Sequence, residues 1–138
     1  MGEQRLSSLL LDTHILIWWL SAPSLLAKEH SRQIKAAEAR DEPVSISAIT
    51  LWEIAKLSAR KRVQFGSPPD EWLKGLEHHP LIHVVPLTAD IVLESVSLGD
   101  DFHRDPADQI IVATARCLNL KLLTQDERIR AWGKVRLV

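Results

Sequence analysis

Apolar and polar positions along this chain follow two periodicities. Short apolar or alternating segments predict strands at residues 9–11, 44–48, 81–87, 121–124 and 135–138. The segments between them are typical of helices, at residues 13–20, 24–40, 50–62, 70–77, 88–98 and 106–118, with a short helix from residue 126. Strands that alternate with helices predict a parallel sheet, because parallel strands need crossover connections. The predicted fold is α/β, with three layers (α/β/α) around a central, mainly parallel sheet.

Length and composition indicate one folded domain. The chain has 138 residues, 46% of them hydrophobic and 25% charged, which is ordinary for a globular protein and argues against disorder. We therefore expect a single domain over residues 1–138.

One cysteine excludes an internal disulfide and a metal–thiolate site, and fits a reducing cytoplasm. That cysteine, Cys117, lies in a largely apolar helical segment, so we expect it to pack in the core.

The charge balance and the apolar runs limit the function classes. The formal net charge is −1, so the usual basic footprint of a nucleic-acid-binding protein is missing and any such binding must depend on local charge. The longest apolar run, residues 15–20, is far shorter than the roughly 20 residues that a membrane span requires. We expect no crossing of a bilayer.

Four acidic residues follow predicted strands or begin the helices after them. Asp12 ends the first strand, and Asp126 follows the fourth. Glu53 lies in the first turn of the helix after the second strand, and Asp108 in the first turn of the helix after a polar loop at 100–105. Ligands of open parallel sheets bind beyond the carboxyl ends of the strands. We therefore expect the four carboxylates to meet at one edge of the sheet.

Clustered carboxylates point to a divalent cation. Like charges at close range raise one another's pKa and destabilise the fold unless a positive charge compensates. Mg²⁺ or Mn²⁺ prefers a few carboxylates plus waters, whereas zinc prefers histidine or cysteine, which these strand ends do not offer. The chemistry predicted is phosphodiester hydrolysis by a metal-activated water that a carboxylate orients or deprotonates.

Each acid also has a purely structural interpretation. Residues 50–53 (TLWE) have the pattern of a capping box. Asp105 and Asp108 occupy the N-cap and the third position of the next helix, where the helix dipole favours negative charge. Asp12 and Asp126 also suit a turn or a cap. The functional interpretation depends on all four sharing one edge.

These segments together resemble a known family. The stretches in question are LLLDTH at residues 9–14, SAITLWEI at 47–54, HRDPADQIIVATA at 103–115 and LTQD at 123–126. In order and spacing they resemble the motifs of PIN-domain ribonucleases, specifically the VapC-type toxins of type II toxin–antitoxin pairs. The resemblance implies a PIN-like fold and an endoribonuclease that depends on Mg²⁺ or Mn²⁺. It also implies a cognate VapB-like antitoxin and a homodimer. From the single cysteine and the short apolar runs we expect a cytoplasmic protein with no membrane association.

The resemblance assigns roles to the acids. Asp12 and Asp108 would be the main metal ligands, Glu53 would orient or deprotonate the water, and Asp126 would help to hold the metal through water. Asp105 adds a fifth acid one turn before Asp108, so either of this pair is a candidate for the closer ligand.

Neighbouring positions have roles by the same resemblance. Thr13 and Thr124 match polar positions beside the acids, while His14 stands where many relatives have Asn or Ser. By its own position, within a few residues of two proposed ligands, Arg104 is the candidate for a phosphate contact. Acidic residues of an antitoxin are the alternative partner for Arg104. Positive charge is also concentrated at Lys56 and residues 60–62, which we interpret as a solvated helix end.

Two adjacent tryptophans leave two interpretations open. The apolar residues 15–20 cover all sides of a helix, so Trp18 and Trp19 cannot both face the sheet. Either neighbouring helices bury the second ring, or it lies at a subunit or antitoxin interface, where tryptophan is enriched. The resemblance favours the interface.

Other functions remain as alternatives. A solitary PIN-type RNA-processing nuclease would carry the same acids, and a catalytically silent binding module could retain the fold. A phosphoacceptor signalling domain has a similar sheet with acids at strand ends. It would need a lysine just after a late strand, where residues 124–126 (TQD) supply an acid instead.

Overall fold

Four parallel strands form the centre of the protein. The structure is a computed structural model that describes residues 4–63 and 65–138. The strands of its sheet lie in the order β3-β2-β1-β4. They are β1 (Leu9–Leu11), β2 (Val44–Ser47), β3 (Ile82–Val85) and β4 (Lys121–Leu123). Since every neighbouring pair is parallel, the carboxyl ends of all four strands lie at one edge.

Helices cover both faces of this sheet. They are α1 (Thr13–Ser21), α2 (Lys28–Ala39), α3 (Ala48–Ala59), α4 (Pro69–His78), α5 (Ala89–Val96), α6 (Pro106–Leu118) and α7 (Glu127–Trp132). Leu9 and Leu11 of β1 belong to a core cluster with residues of α1 to α4, whereas Leu10 belongs to a second cluster with residues of α6 and α7. Alternate strand residues point to opposite faces, so β1 is buried on both. The predicted three-layer α/β fold is confirmed.

The predicted helix over residues 24–40 is wrong at its start. Pro23–Leu25 form a short 3-10 helix, and α2 begins only at Lys28. Leu26 and Ala27 have extended backbones, with ψ of 138° and 148°, which separate the two segments.

Helix α3 begins earlier than predicted. It starts at Ala48 rather than Thr50, because the Ser47 side chain accepts a hydrogen bond from the backbone N–H of Ile49 and caps the helix. Ala48 therefore belongs to α3 and not to β2. The proposed capping box at residues 50–53 is wrong, since both of its ends lie inside the helix.

Three other local predictions need correction. The third strand covers only Ile82–Val85. The expected strand at 135–138 is a single parallel bridge between Leu122 and Leu137. Cys117 is exposed, not in the core. Asn119 ends α6 in the left-handed conformation (φ 54°). Among residues 4–63 and 65–138, no helix has the length and apolar content needed to cross a membrane.

Candidate metal centre

A cavity of about 350 Å³ opens at the carboxyl edge of the sheet. Its lining residues are Asp12, His14, Trp18, Glu53, Asp105, Asp108, Gln125, Asp126 and Arg128. The structure thus brings the four acids of the predicted quartet to one place, together with the fifth acid, Asp105. They come from four different segments of the chain. We refer to this space as the acidic cavity.

Asp12 connects the central strand to the first helix. It caps α1 by accepting a 2.7 Å hydrogen bond from the N–H of Thr13, and its other oxygen accepts one of 2.6 Å from the Thr124 hydroxyl. Only 7% of Asp12 is exposed. Burial raises the pKa of this carboxyl, although the hydrogen bonds from Thr124 and Thr13 oppose the shift. The side chain is therefore held in place at a cost in solvation of its charge.

Hydroxyl groups connect α1 to Glu53 on α3. The Thr13 hydroxyl donates to Glu53 Oε1, and it lies 3.2 Å from the hydroxyl of Thr50, which is one helical turn before Glu53. Thr13 and Thr50 are fully buried, so this contact fixes the Glu53 carboxylate. Burial raises the pKa of Glu53, and the charges of Asp12 and Asp105 add to the shift.

Asp105 and Asp108 have different environments. Asp105 caps α6 and accepts a 3.1 Å hydrogen bond from the N–H of Asp108. Asp108 is 7% exposed, and its Oδ2 lies 2.7 Å from His103 Nε2. Burial raises the pKa of Asp108 to about 7, against the opposing effect of the His103 contact. The two acids thus line the same cavity, but one oxygen of Asp105 already serves as a helix cap.

Asp126 is the least buried acid of the quartet and caps α7. Its Oδ1 accepts hydrogen bonds from the N–H groups of Arg128 (2.9 Å) and Ile129 (3.1 Å). Its Oδ2 lies 3.2 Å from the Arg128 guanidinium. Burial raises the pKa of Asp126, but the bonds from Arg128 and from the backbone outweigh it, so the pKa is lowered. Asp126 is consequently ionised at neutral pH.

Two residues that contact the acids of the site were not predicted from the sequence. His103 Nε2 and one oxygen each of Asp108 and Asp126 lie within 4.8 Å of one another, close enough to share a metal ion. The expectation that this edge offers no histidine is therefore wrong. Arg128 also reaches the site, with its guanidinium 3.5 Å from Asp108. Proximity in sequence could have indicated both, since His103 lies in the polar loop five positions before Asp108 and Arg128 follows Asp126 by two positions.

The remaining predicted residues lie outside the centre of the acidic cavity. Arg104 is exposed and lines a different cavity, with Gln109 and Phe102 among its neighbours. This placement does not support the expected phosphate contact next to the acids. Trp18 and Trp19 are both partly buried against the larger core cluster. Trp18 lies at the rim of the acidic cavity, while the Trp19 indole donates to Glu38 of α2 at 3.3 Å.

Comparison with known proteins decides the family. The family model of the PIN domain matches residues 9–135. The chain belongs to the PIN-domain family. This PIN-domain protein is 32% identical over 126 residues to Ribonuclease VapC22 of Mycobacterium tuberculosis, a match that covers 91% of this chain and 92% of that protein. The expected membership among VapC-type PIN-domain ribonucleases is thereby confirmed.

Solved structures agree with this assignment. A toxin–antitoxin complex from Klebsiella pneumoniae contains a chain 25% identical to this one, with a TM-score of 0.61 and 94% of each chain covered. VapBC2 from Rickettsia felis, bound to a DNA fragment of its promoter, gives a TM-score of 0.69 at 14% identity. That match covers 94% of this PIN-domain protein and 96% of the other chain. At such low identity it shows the shared fold.

Proposed function

We propose that this PIN-domain protein is an endoribonuclease dependent on Mg²⁺ or Mn²⁺, and that it is the toxin of a type II toxin–antitoxin pair. The observation that carries the proposal is the gathering of Asp12, Glu53, Asp108 and Asp126 around one cavity. The relationship to Ribonuclease VapC22 supports RNA as the substrate.

The donor groups fit a hard divalent cation. Asp12 and Asp108 are both buried with raised pKa values, so their ionised forms need a compensating positive charge. Carboxylate oxygens are the ligands that Mg²⁺ and Mn²⁺ favour, and the volume of the acidic cavity leaves room for water and a phosphate. In this proposal Asp12 and Asp108 hold the ion, Asp126 contributes through water, and His103 supplies a nitrogen beside them. The bound ion would lower the pKa of a water molecule and offset negative charge on the phosphate.

Glu53 is the proposed group that orients or deprotonates the attacking water. The Thr13 hydroxyl fixes its position, and burial raises its pKa, which brings a carboxylate closer to the basicity that proton transfer at neutral pH requires. Thr124 positions Asp12 through the 2.6 Å hydrogen bond. Hydrolysis would then form a bond between the water's oxygen and phosphorus and break one P–O ester bond. The water's proton would pass to Glu53 or solvent, and the released ester oxygen would take up a proton from solvent and leave as a hydroxyl group.

The proposed protein partners are a VapB-like antitoxin and a second copy of this chain, in the cytoplasm. Similar chains are found in toxin–antitoxin complexes. Trp18 is the better candidate for a partner contact, because it lies at the rim of the acidic cavity. The Trp19 indole instead donates a hydrogen bond to Glu38 of α2. A small neighbouring reading frame with a DNA-binding start would support the pair, and its absence would favour a solitary RNA-processing nuclease.

Cleavage assays with a chelator test the enzyme directly. Purified protein should cut single-stranded RNA with Mg²⁺ or Mn²⁺ and should stop in excess chelator. Asp12→Asn should abolish cutting, while the matched change Asp70→Asn, at an exposed acid in the first turn of α4, should leave it unchanged. Undiminished cutting in chelator would reject the metal, and full activity of Asp12→Asn would remove Asp12 from the mechanism.

A further inference from the structure

We propose that Trp52, Lys56 and Arg60 form a binding site for one unpaired nucleotide of the RNA, whose base stacks on the Trp52 indole while its phosphates contact Lys56 and Arg60. This inference rests on the proposed ribonuclease function. The site would favour single-stranded over paired RNA, and it would bind the nucleotide next to the cleaved bond.

The first observation is a second cavity next to the acidic one. It has a volume of about 230 Å³ and is lined by Trp52, Glu53, Lys56, Leu57, Arg60, Asp105, Pro106 and Ala107. Glu53 and Asp105 line both cavities, so the two are neighbours that share a wall. An RNA chain with one phosphate at the acids would therefore place an adjacent nucleotide in this second cavity. We call this space the Trp52 cavity.

The second observation is the exposure of Trp52. This side chain is 49% exposed although it directly precedes Glu53 on α3. Successive residues of a helix point about 100° apart, so Glu53 faces the acidic cavity and Trp52 the neighbouring one. Single exposed apolar side chains are common and need no explanation. Here the exposed ring lines a cavity and stands beside two cations, and this combination is typical of sites that bind single-stranded nucleic acid.

The third observation is the positive charge. The Lys56 ammonium lies 4.0 Å from the centroid of the Trp52 ring, and Arg60 follows one turn later at the end of α3. The acidic cavity by itself repels phosphates, and the whole chain has a net charge of −1. Lys56 and Arg60 therefore supply the local positive charge that RNA binding by this chain requires.

The Lys56–Trp52 contact does not block the ring. Both side chains are exposed, and a cation–π contact in solvent is weaker than the stacking of a base on an aromatic side chain. A base that enters the cavity would displace the flexible ammonium from the ring towards a phosphate. Only an unpaired base has a free face for such stacking, because a paired base within a helix is covered on both sides.

The volume also favours a single nucleotide. Pockets for drug-sized ligands have volumes of about 300–1,000 Å³, and the Trp52 cavity lies below that range. Its open side would let the RNA chain continue in both directions. The proposed occupant is therefore one base within a longer strand and not a free ligand.

RNA binding without cleavage tests the site. Asp12→Asn is the background, so that a fluorescent single-stranded RNA of about ten nucleotides stays intact during anisotropy titrations. Replacing Trp52 with Leu should weaken binding by about 5- to 150-fold, as expected for the loss of one stacked base. Trp52→Phe keeps an aromatic face and should restore most of the affinity. Leu93→Ala, at an exposed apolar residue of α5, is the matched control and should leave affinity unchanged.

The cations have a separate readout. Lys56→Gln should reduce the slope of log affinity against log salt by about 0.7, the contribution of one phosphate contact to a single strand. Lys74→Gln, at an exposed lysine of α4, should not change the slope. For the RNA paired into a duplex, Trp52→Leu should have no effect on affinity.

The outcomes separate this inference from the proposed function. If the wild-type protein cuts RNA while Trp52→Leu binds as tightly as the Leu93→Ala control, the nucleotide site is wrong and the nuclease stands. If the wild-type protein cuts no RNA, the proposed function itself fails. A change in oligomeric mass of Trp52→Leu by light scattering, with unchanged RNA affinity, would also overturn the site and place Trp52 at a contact between copies of the chain.

Discussion

The hydroxyl of Thr124 donates a 2.6 Å hydrogen bond to Oδ2 of Asp12, across 112 positions of sequence. The Thr124 hydroxyl oxygen in turn accepts a 3.0 Å hydrogen bond from the N–H of Asp126. Thr124 is fully buried and directly follows β4, which pairs with β1. One side chain thus holds an acid on each of two neighbouring strand ends.

Thr124→Val should disturb both acids with little change in volume. It removes a donor from a buried carboxylate, so we expect a loss of about 1–3 kcal/mol in the free energy of unfolding, and a fall in RNA cleavage. Urea denaturation measures the free energy of unfolding, and a cleavage assay measures the activity. Thr124→Ser keeps the hydroxyl and should recover both the stability and the activity. Thr114→Val is the matched control, because that buried hydroxyl donates to a carbonyl of its own helix; an equal loss of activity there would argue against a positioning role for Thr124.

Asp12→Asn should remove activity without weakening the fold. Burial leaves the charged form of Asp12 poorly solvated in the folded protein and raises its pKa, and the amide removes that charge. Without metal, we expect the thermal midpoint to equal or exceed that of the wild-type protein. With Mg²⁺ or Mn²⁺, the wild-type protein should gain stability by binding the ion and the variant should not. A variant that is much less stable in chelator would show that the Asp12 cap matters more than its charge.

His103→Gln should weaken metal binding while the protein stays folded. His103 contacts Asp108 at 2.7 Å and stacks on the buried ring of Phe102, with centroids 4.4 Å apart. If Asp108 is a metal ligand as proposed, loss of its hydrogen-bonding partner should cost about 10- to 100-fold in metal affinity. Calorimetric titration with Mn²⁺ measures this. His83→Gln, at an exposed histidine of β3, serves as the control, and equal Mn²⁺ affinity in both variants would exclude His103 from the site.

His30, which does not line the acidic cavity, should make the free energy of unfolding depend on pH. It is 3% exposed, its Nδ1 has no hydrogen-bond partner within the described residues, and its Nε2 lies 3.4 Å from the carbonyl of Val138. Burial lowers its pKa. The unfolded chain therefore takes up a proton near pH 6.5 that the folded protein takes up only at lower pH, so stability falls as the pH drops below about 6.5.

The measurement for His30 is a comparison of slopes. The free energy of unfolding, followed between pH 5 and 8, should change by at most about 1.4 kcal/mol per pH unit for this one proton. His30→Gln should lose that part of the slope, and His78→Gln, at an exposed histidine of α4, should keep it. If His30→Gln has the wild-type slope, His30 is not the titrating group.

The sequence predicts the order of elements and the position of the acids well, because both follow from short-range patterns. Parallel strands must end at one edge, so Asp12 and Asp126 come together once the strands are recognised. The start of α3 was missed because Ser47 ends a strand and caps a helix at once. The pattern at residues 50–53 offered a second plausible cap, and only the backbone could decide between them.

The sequence could not show where side chains of irregular loops point. His103 and Arg104 are adjacent, yet the first contacts Asp108 and the second lines another cavity. Arg128 reaches Asp108 because α7 turns its first residues towards the acidic cavity. These directions depend on tertiary packing, which hydrophobic periodicity does not encode.

The strand order has a consequence for protein synthesis. Strand β1 is synthesised before its neighbour β4 and before Asp126, which caps α7. A nascent chain that has reached only α6 already contains Asp12, Glu53 and Asp108. It still lacks β4 and Thr124, whose hydroxyl holds Asp12. Products truncated before β4 should thus be inert, and nuclease activity should appear only after β4 and Asp126 have been synthesised.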